Sequence, residues 1–180
     1  MLFGGVILYD PTIFDNLKVT FENQVYDLDN LDRKITITNR VDRMDFAIMA
    51  RDFAIQFTLV DQPDVTAKII LEASLNDLAG EILEVPRQKL GCTLFVQFTK
   101  HVQSVATQCK QIEHALYSIW ENDIQLTQTV SFVFEQGAHC YQDMIEVKFN
   151  SKINEEHMGD IADFIDSVMA TLELLNAIKE

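Results

Sequence analysis

The chain has 180 residues and carries 28 acidic against 14 basic side chains, a formal net charge of −14. Its 48% hydrophobic content, with only 3 Pro and 6 Gly, suits one folded domain over residues 1–180 and excludes a disordered or collagen-like chain. The charge is spread: residues 1–90 hold 9 basic and 15 acidic groups, residues 91–180 hold 5 and 13, so no basic surface is offered to nucleic acid or to an anionic membrane.

The first elements read as strands. Residues 2–9 are apolar and fit a buried strand, which Asp10-Pro11 ends. In 17–22, Leu17, Val19 and Phe21 alternate with Lys18, Thr20 and Glu22, the period of a half-buried strand. Asp27-Leu28-Asp29-Asn30 reads as a turn, and 34–38 alternates again. The clearest strand is 53–60, with Phe53, Ile55, Phe57 and Leu59 on one face. Asp61-Gln62-Pro63-Asp64 turns the chain into a second strand at 65–73, so 53–73 is a hairpin. Ser74 and Asp77 have the spacing of a capping box for a helix at 75–84. Leu75, Leu78, Ala79 and Ile82 form its expected inner face, and Pro86 ends it.

Beyond residue 92 the order is strand, helix, strand, strand, helix. Residues 93–99 read as a strand. Residues 102–121 read as a helix striped by Val102, Val105, Cys109, Ile112, Leu116 and Ile119. Residues 127–135 and 142–149 pair around Gln136-Gly137-Ala138-His139. A last helix spans 155–178, capped by Asn154 and striped by Met158, Ile161, Ile165, Val168, Leu172 and Leu175. Such stripes pack against a sheet, or they form the seam of a homodimer. The expected fold is α+β: an antiparallel or mixed sheet, a strand-rich N-terminal half, and long helices covering one face.

Motifs that carry chemistry are sparse. There is no phosphate-cradling Gly-rich loop, no nucleophile elbow and no zinc helix. His101, His114, His139 and His157 are scattered, and Cys140 adjoins His139 on a segment that sends neighbouring side chains to opposite faces. No catalytic residue, metal or cofactor is therefore expected. Three cysteines without paired spacing, no basic n-region at the start and no apolar run of membrane-spanning length suggest a reducing, cytoplasmic location without membrane contact.

One concentration stands out. Four of the five arginines, Arg33, Arg40, Arg43 and Arg51, fall within 33–51, interleaved with Asp32, Asp42, Asp45 and Asp52. Arg40, Arg43 and Arg51 are the candidate ligands for an anion, since guanidinium forks bind carboxylates and phosphates in pairs of hydrogen bonds. Their bland alternative is local Arg–Asp pairing on a solvated surface. The last helix carries Asp160, Asp163, Asp166 and Glu173 off its stripe, a face suited to a basic partner segment. The functional expectation leans away from an enzyme, toward a non-catalytic protein-binding module: an adaptor, a chaperone-like factor or an inhibitor. The alternative is a small-molecule-binding domain or enzyme with an anionic ligand near Arg40, Arg43 and Arg51.

Overall fold

Alternation builds a sheet. In the computed structural model, which describes residues 12–83, 90–120, 124–134 and 141–179, six strands form it. They are β1 (Ile35–Asp45), β2 (Ala50–Leu59), β3 (Thr66–Ala73), β4 (Thr93–Val102), β5 (Ile124–Ser131) and β6 (Tyr141–Phe149). The order is β1-β2-β3-β4-β6-β5, and every neighbouring pair is antiparallel. Strands β1 to β4 make a meander. The chain then skips one position to lay down β5, and β6 returns between β4 and β5.

Register aligns the apolar positions into rows. Phe57, Ala67, Phe98 and Ile145 form one row; Ile55, Ile69, Val96 and Val147 form the next. All eight are fully buried. Three helices cover this face: α1 (Ile13–Asn30), α3 (Val105–Trp120) and α4 (Ile161–Ala177). Helix α4 lies over β2, β3 and β4, with α1 and α3 against its flanks. Phe21, Trp120, Phe149 and Phe164 stack edge-on where the three helices meet the sheet. The opposite face carries many Thr and Gln side chains around one apolar row of Val41, Ala54, Ile70 and Phe95, and includes a cross-strand hydrogen bond of 2.9 Å from Gln97 Nε2 to Glu146 Oε2. The α+β class, the helix-covered face and the strand–helix–strand–strand–helix order of the C-terminal half thus agree with the sequence. The sheet is wholly antiparallel.

Several local expectations are corrected. Residues 17–22 are helical, inside α1, because Phe14, Leu17, Phe21 and Val25 fall on one helical face and are all buried, while Val19 is exposed. Thr12 caps this helix, its hydroxyl accepting from the Asp15 N–H at 3.2 Å. The expected turn at 27–30 is the last turn of α1. The strand expected at 34–38 runs on as β1 through the polar stretch to Asp45. Helix α2 (Leu75–Ile82) has its capping box, yet Leu75 and Ile82 are exposed and the buried positions are Asp77 and Gly80. Val102 closes β4 instead of opening α3, whose N-terminus is held by Gln108 Oε1 accepting from the Gln103 and Ser104 N–H groups. Asn154 caps a 3-10 helix at Glu155–Asp160, and α4 proper starts at Ile161. The α4 stripe from Ile161 to Leu175 is buried inside the fold, so it is not a seam between molecules. The expected strand at 2–9, the turn at 136–139, and Pro86 lie outside the described residues.

Candidate functional site

The arginines are separated by the pleat of the sheet. Arg40 and Arg51 point to the helix-covered face, in line with Ile55 and Ala73. Arg43 points to the other face, where its Nε donates to Asp52 at 2.9 Å. Helix α1 crosses above β1 and β2 and presents Asp15, Lys18 and Glu22 to the first pair. Arg40 pairs with Glu22, Arg51 Nη1 with Asp15 at 2.8 Å, and Lys18 with Asp42 at 2.8 Å. Asp42 sits between the two guanidinium groups, 3.5 Å from Arg51 Nη2 and 3.7 Å from Arg40 Nη2. Three acids thus meet three bases, and the network is neutral. Partial burial alone would raise the Asp42 carboxyl, but the Lys18 hydrogen bond and the three cations outweigh it and hold it below the ordinary range. The guanidinium of Arg51 also stacks over Phe14 at 4.5 Å and that of Arg40 over Phe53 at 5.7 Å. This network clamps α1 onto the sheet.

The β1–β2 turn departs from ordinary turn chemistry. A tight hairpin favours Asn-Gly or Asp-Gly, because its turn needs positive φ. Here the tip reads Asp45-Phe46-Ala47-Ile48-Met49, with Met49 at φ 52°. Asp45 Oδ1 accepts from the Ala47 N–H at 2.8 Å and closes the turn. The apolar side chains extend into solvent: Phe46 is 78% and Ile48 63% exposed, with Met44 and Met49 exposed beside them. Arg43 and Asp52 flank the tip.

A second feature escaped sequence reasoning. Asp143 of β6 is fully buried on the helix-covered face. Its Oδ2 receives a weak hydrogen bond from the Cys109 thiol at 3.7 Å, and its Oδ1 has no partner among the described residues. Gln128 of β5 donates to the Cys109 carbonyl at 3.0 Å, and its own Oε1 is buried without a partner among the described residues. Lys100 stands opposite Asp143 in register and is nearly buried. Burial pushes the Asp143 carboxyl up and the Lys100 ammonium down, each toward its neutral form. Burial likewise pushes the Cys92 thiol up to about 12, which makes it an inert core group.

Two cavities lie away from Arg40, Arg43 and Arg51. One of about 190 Å³ is lined by Phe21, Leu94, Phe149 and Phe164, with His157 and Asp160 at its polar side. Another of about 890 Å³, at the sheet end opposite the hairpin tip, is bordered by Arg33, Asp61, Asp64 and Glu173. No cluster of His, Cys, Asp and Glu suited to a metal occurs among the described residues, and no helix is long and apolar enough to cross a membrane. The chain matches no family model, no curated protein and no solved structure.

Proposed function

We propose that this chain is a non-catalytic protein-binding module, and that it binds through the β1–β2 hairpin tip. The observation that supports this most directly is the exposure of Phe46 and Ile48 in a turn where Gly and polar residues are easier to accommodate. Side chains held there gain nothing for the fold. They suit insertion into an apolar pocket of a partner, with Arg43 and the acidic surroundings supplying a charged rim. The anionic-ligand alternative draws less support. A ligand at Arg40 and Arg51 would have to displace Asp15, Glu22 and Asp42 from contacts within the fold.

The test is capture from host lysate at low and high salt, with the parent chain and the double variant Phe46→Ser, Ile48→Ser. The substitutions lie on exposed positions and should leave stability within about 0.5 kcal/mol of the parent. A partner retained by the parent at high salt and lost by the variant supports the reading. Identical captured sets from parent and variant would remove it.

A further inference from the structure

We propose that two copies of this chain join edge to edge through β5, forming one continuous twelve-stranded antiparallel sheet with the helices of both copies on the same side. Among the described residues β5 is the outermost strand on its side of the sheet. The two edges are built differently. The β1 edge carries the devices that prevent strand addition: a register irregularity between Ile37 and Asn39, charged side chains at Arg40, Asp42, Arg43 and Asp45, and α1 clamped above it. The β5 edge has α3 packed against it but carries neither a register irregularity nor a charged side chain. Its register with β6 is unbroken from Ile124 to Ser131. The sequence from 124 to 134, Ile-Gln-Leu-Thr-Gln-Thr-Val-Ser-Phe-Val-Phe, contains no charge and no proline.

Two properties identify the occupant as a second copy. The first is charge. The chain carries a net −14, so two copies repel wherever their general surfaces meet, and this neutral stretch lets them approach without opposing like charges. The second is the symmetry of the strand. Around Gln128 the polarity pattern is palindromic. A two-fold axis there sets Ile124 opposite Phe132, Leu126 opposite Val130 and Gln128 opposite its own copy on the helix-covered face. On the other face it sets Thr127 opposite Thr129 and Gln125 opposite Ser131. Every pair joins like with like, as a self-complementary interface requires.

The side chains leave room for it. On β6, Ile145 and Val147 are fully buried, whereas Leu126, Gln128 and Val130 of β5 are only half-buried. Helix α3 packs against β5, yet it leaves these three side chains incompletely covered. A copy of the strand, at the usual spacing of about 4.8 Å, completes the cover over Leu126 and Val130.

Sedimentation of the full chain over a range of concentrations tests the proposal. The expected species has twice the 20.6 kDa mass of one chain, and the β5 amides lose hydrogen-exchange protection on dilution while those of β1 do not change. Thr127→Lys with Thr129→Lys opposes lysines across the axis and should weaken association about a hundredfold. Thr127→Glu with Thr129→Glu should do the same, and mixing the two double variants should restore a heterodimer. Because the parent measurement needs no variant, a chain that stays monomeric at all concentrations overturns the proposal. So does a dimer that both double variants leave intact, or β5 protection that appears only when a foreign extended peptide is added.

Discussion

Replacing Asp143 by Asn should stabilise the protein at neutral pH and change it little near pH 4. The carboxyl is fully buried, with Oδ1 unpartnered and only a thiol donating to Oδ2. The groups facing it are Cys109 from α3, Lys100 from β4 and Gln128 from β5, which shares its face one register step away. Lys100 makes no ion pair with it, and both are pushed toward neutrality by burial. The folded-state pKa of Asp143 therefore lies above the unfolded value of about 3.9. Above that pH the unfolded chain releases the proton while the folded chain keeps it. Stability falls as pH rises, until the folded group also ionises and the penalty levels off. Asn does not titrate, so the variant escapes this pH-dependent penalty. An unmet buried polar group costs about 1–3 kcal/mol, so the gain at pH 7 should be of that size, or about 2–10 °C in Tm. Urea unfolding between pH 4 and 8 reads it directly, because the sole tryptophan, Trp120, is buried against Phe149 and Phe164 and its fluorescence follows the core. A gain independent of pH would refute the reasoning. A loss of about 3 kcal/mol at pH 7 would show a buried Lys100–Asp143 ion pair instead.

Gly91→Ala should destabilise the fold by about 1–3 kcal/mol, measured by urea unfolding, since a Cβ there would meet the Ile153 carbonyl oxygen at 2.5 Å and disrupt the Cys92–Ile153 bridge. Asp77→Asn should cost about 1–2 kcal/mol at pH 7. Burial would raise the Asp77 carboxyl, but hydrogen bonds from Lys152 and Ser74 outweigh it and hold it low. Its contribution is present above pH about 4 and is lost as pH falls through the folded value, so parent and variant should converge in acid.

Strands with one buried face were legible because a single period explains them: Phe53, Ile55, Phe57 and Leu59 fit no helix. Residues 17–22 deceived because Leu17 and Phe21 are both two steps of a strand and one turn of a helix apart, and only Phe14 and Val25 decide between the two. That misreading hid the partners of the arginines. Their density was visible, but Asp15, Lys18 and Glu22 reach them only from a helix lying across β1 and β2. The Asp143 cluster was invisible for a different reason. Register alone brings Lys100, Gln128 and Asp143 together, and register is a property of strand pairing, with no local signature. Phe46 begins an apolar stretch of the sequence, yet its exposure follows from the hairpin geometry and not from its neighbours in sequence.

The strand order β4-β6-β5 has a consequence for synthesis on the ribosome. When β5 emerges, its one strand partner among the described residues, β6, still lies ahead at 141–149, and β4 waits with one side open for the same strand. The cover over β2, β3 and β4 comes later still, from α4. Strand β6 and helix α4 act as a keystone, and a nascent chain halted before residue 141 exposes both unpaired edges together with the apolar rows beneath α4. Cotranslational folding of this sheet therefore waits for β6 and α4, and depends on keeping those edges apart until they arrive.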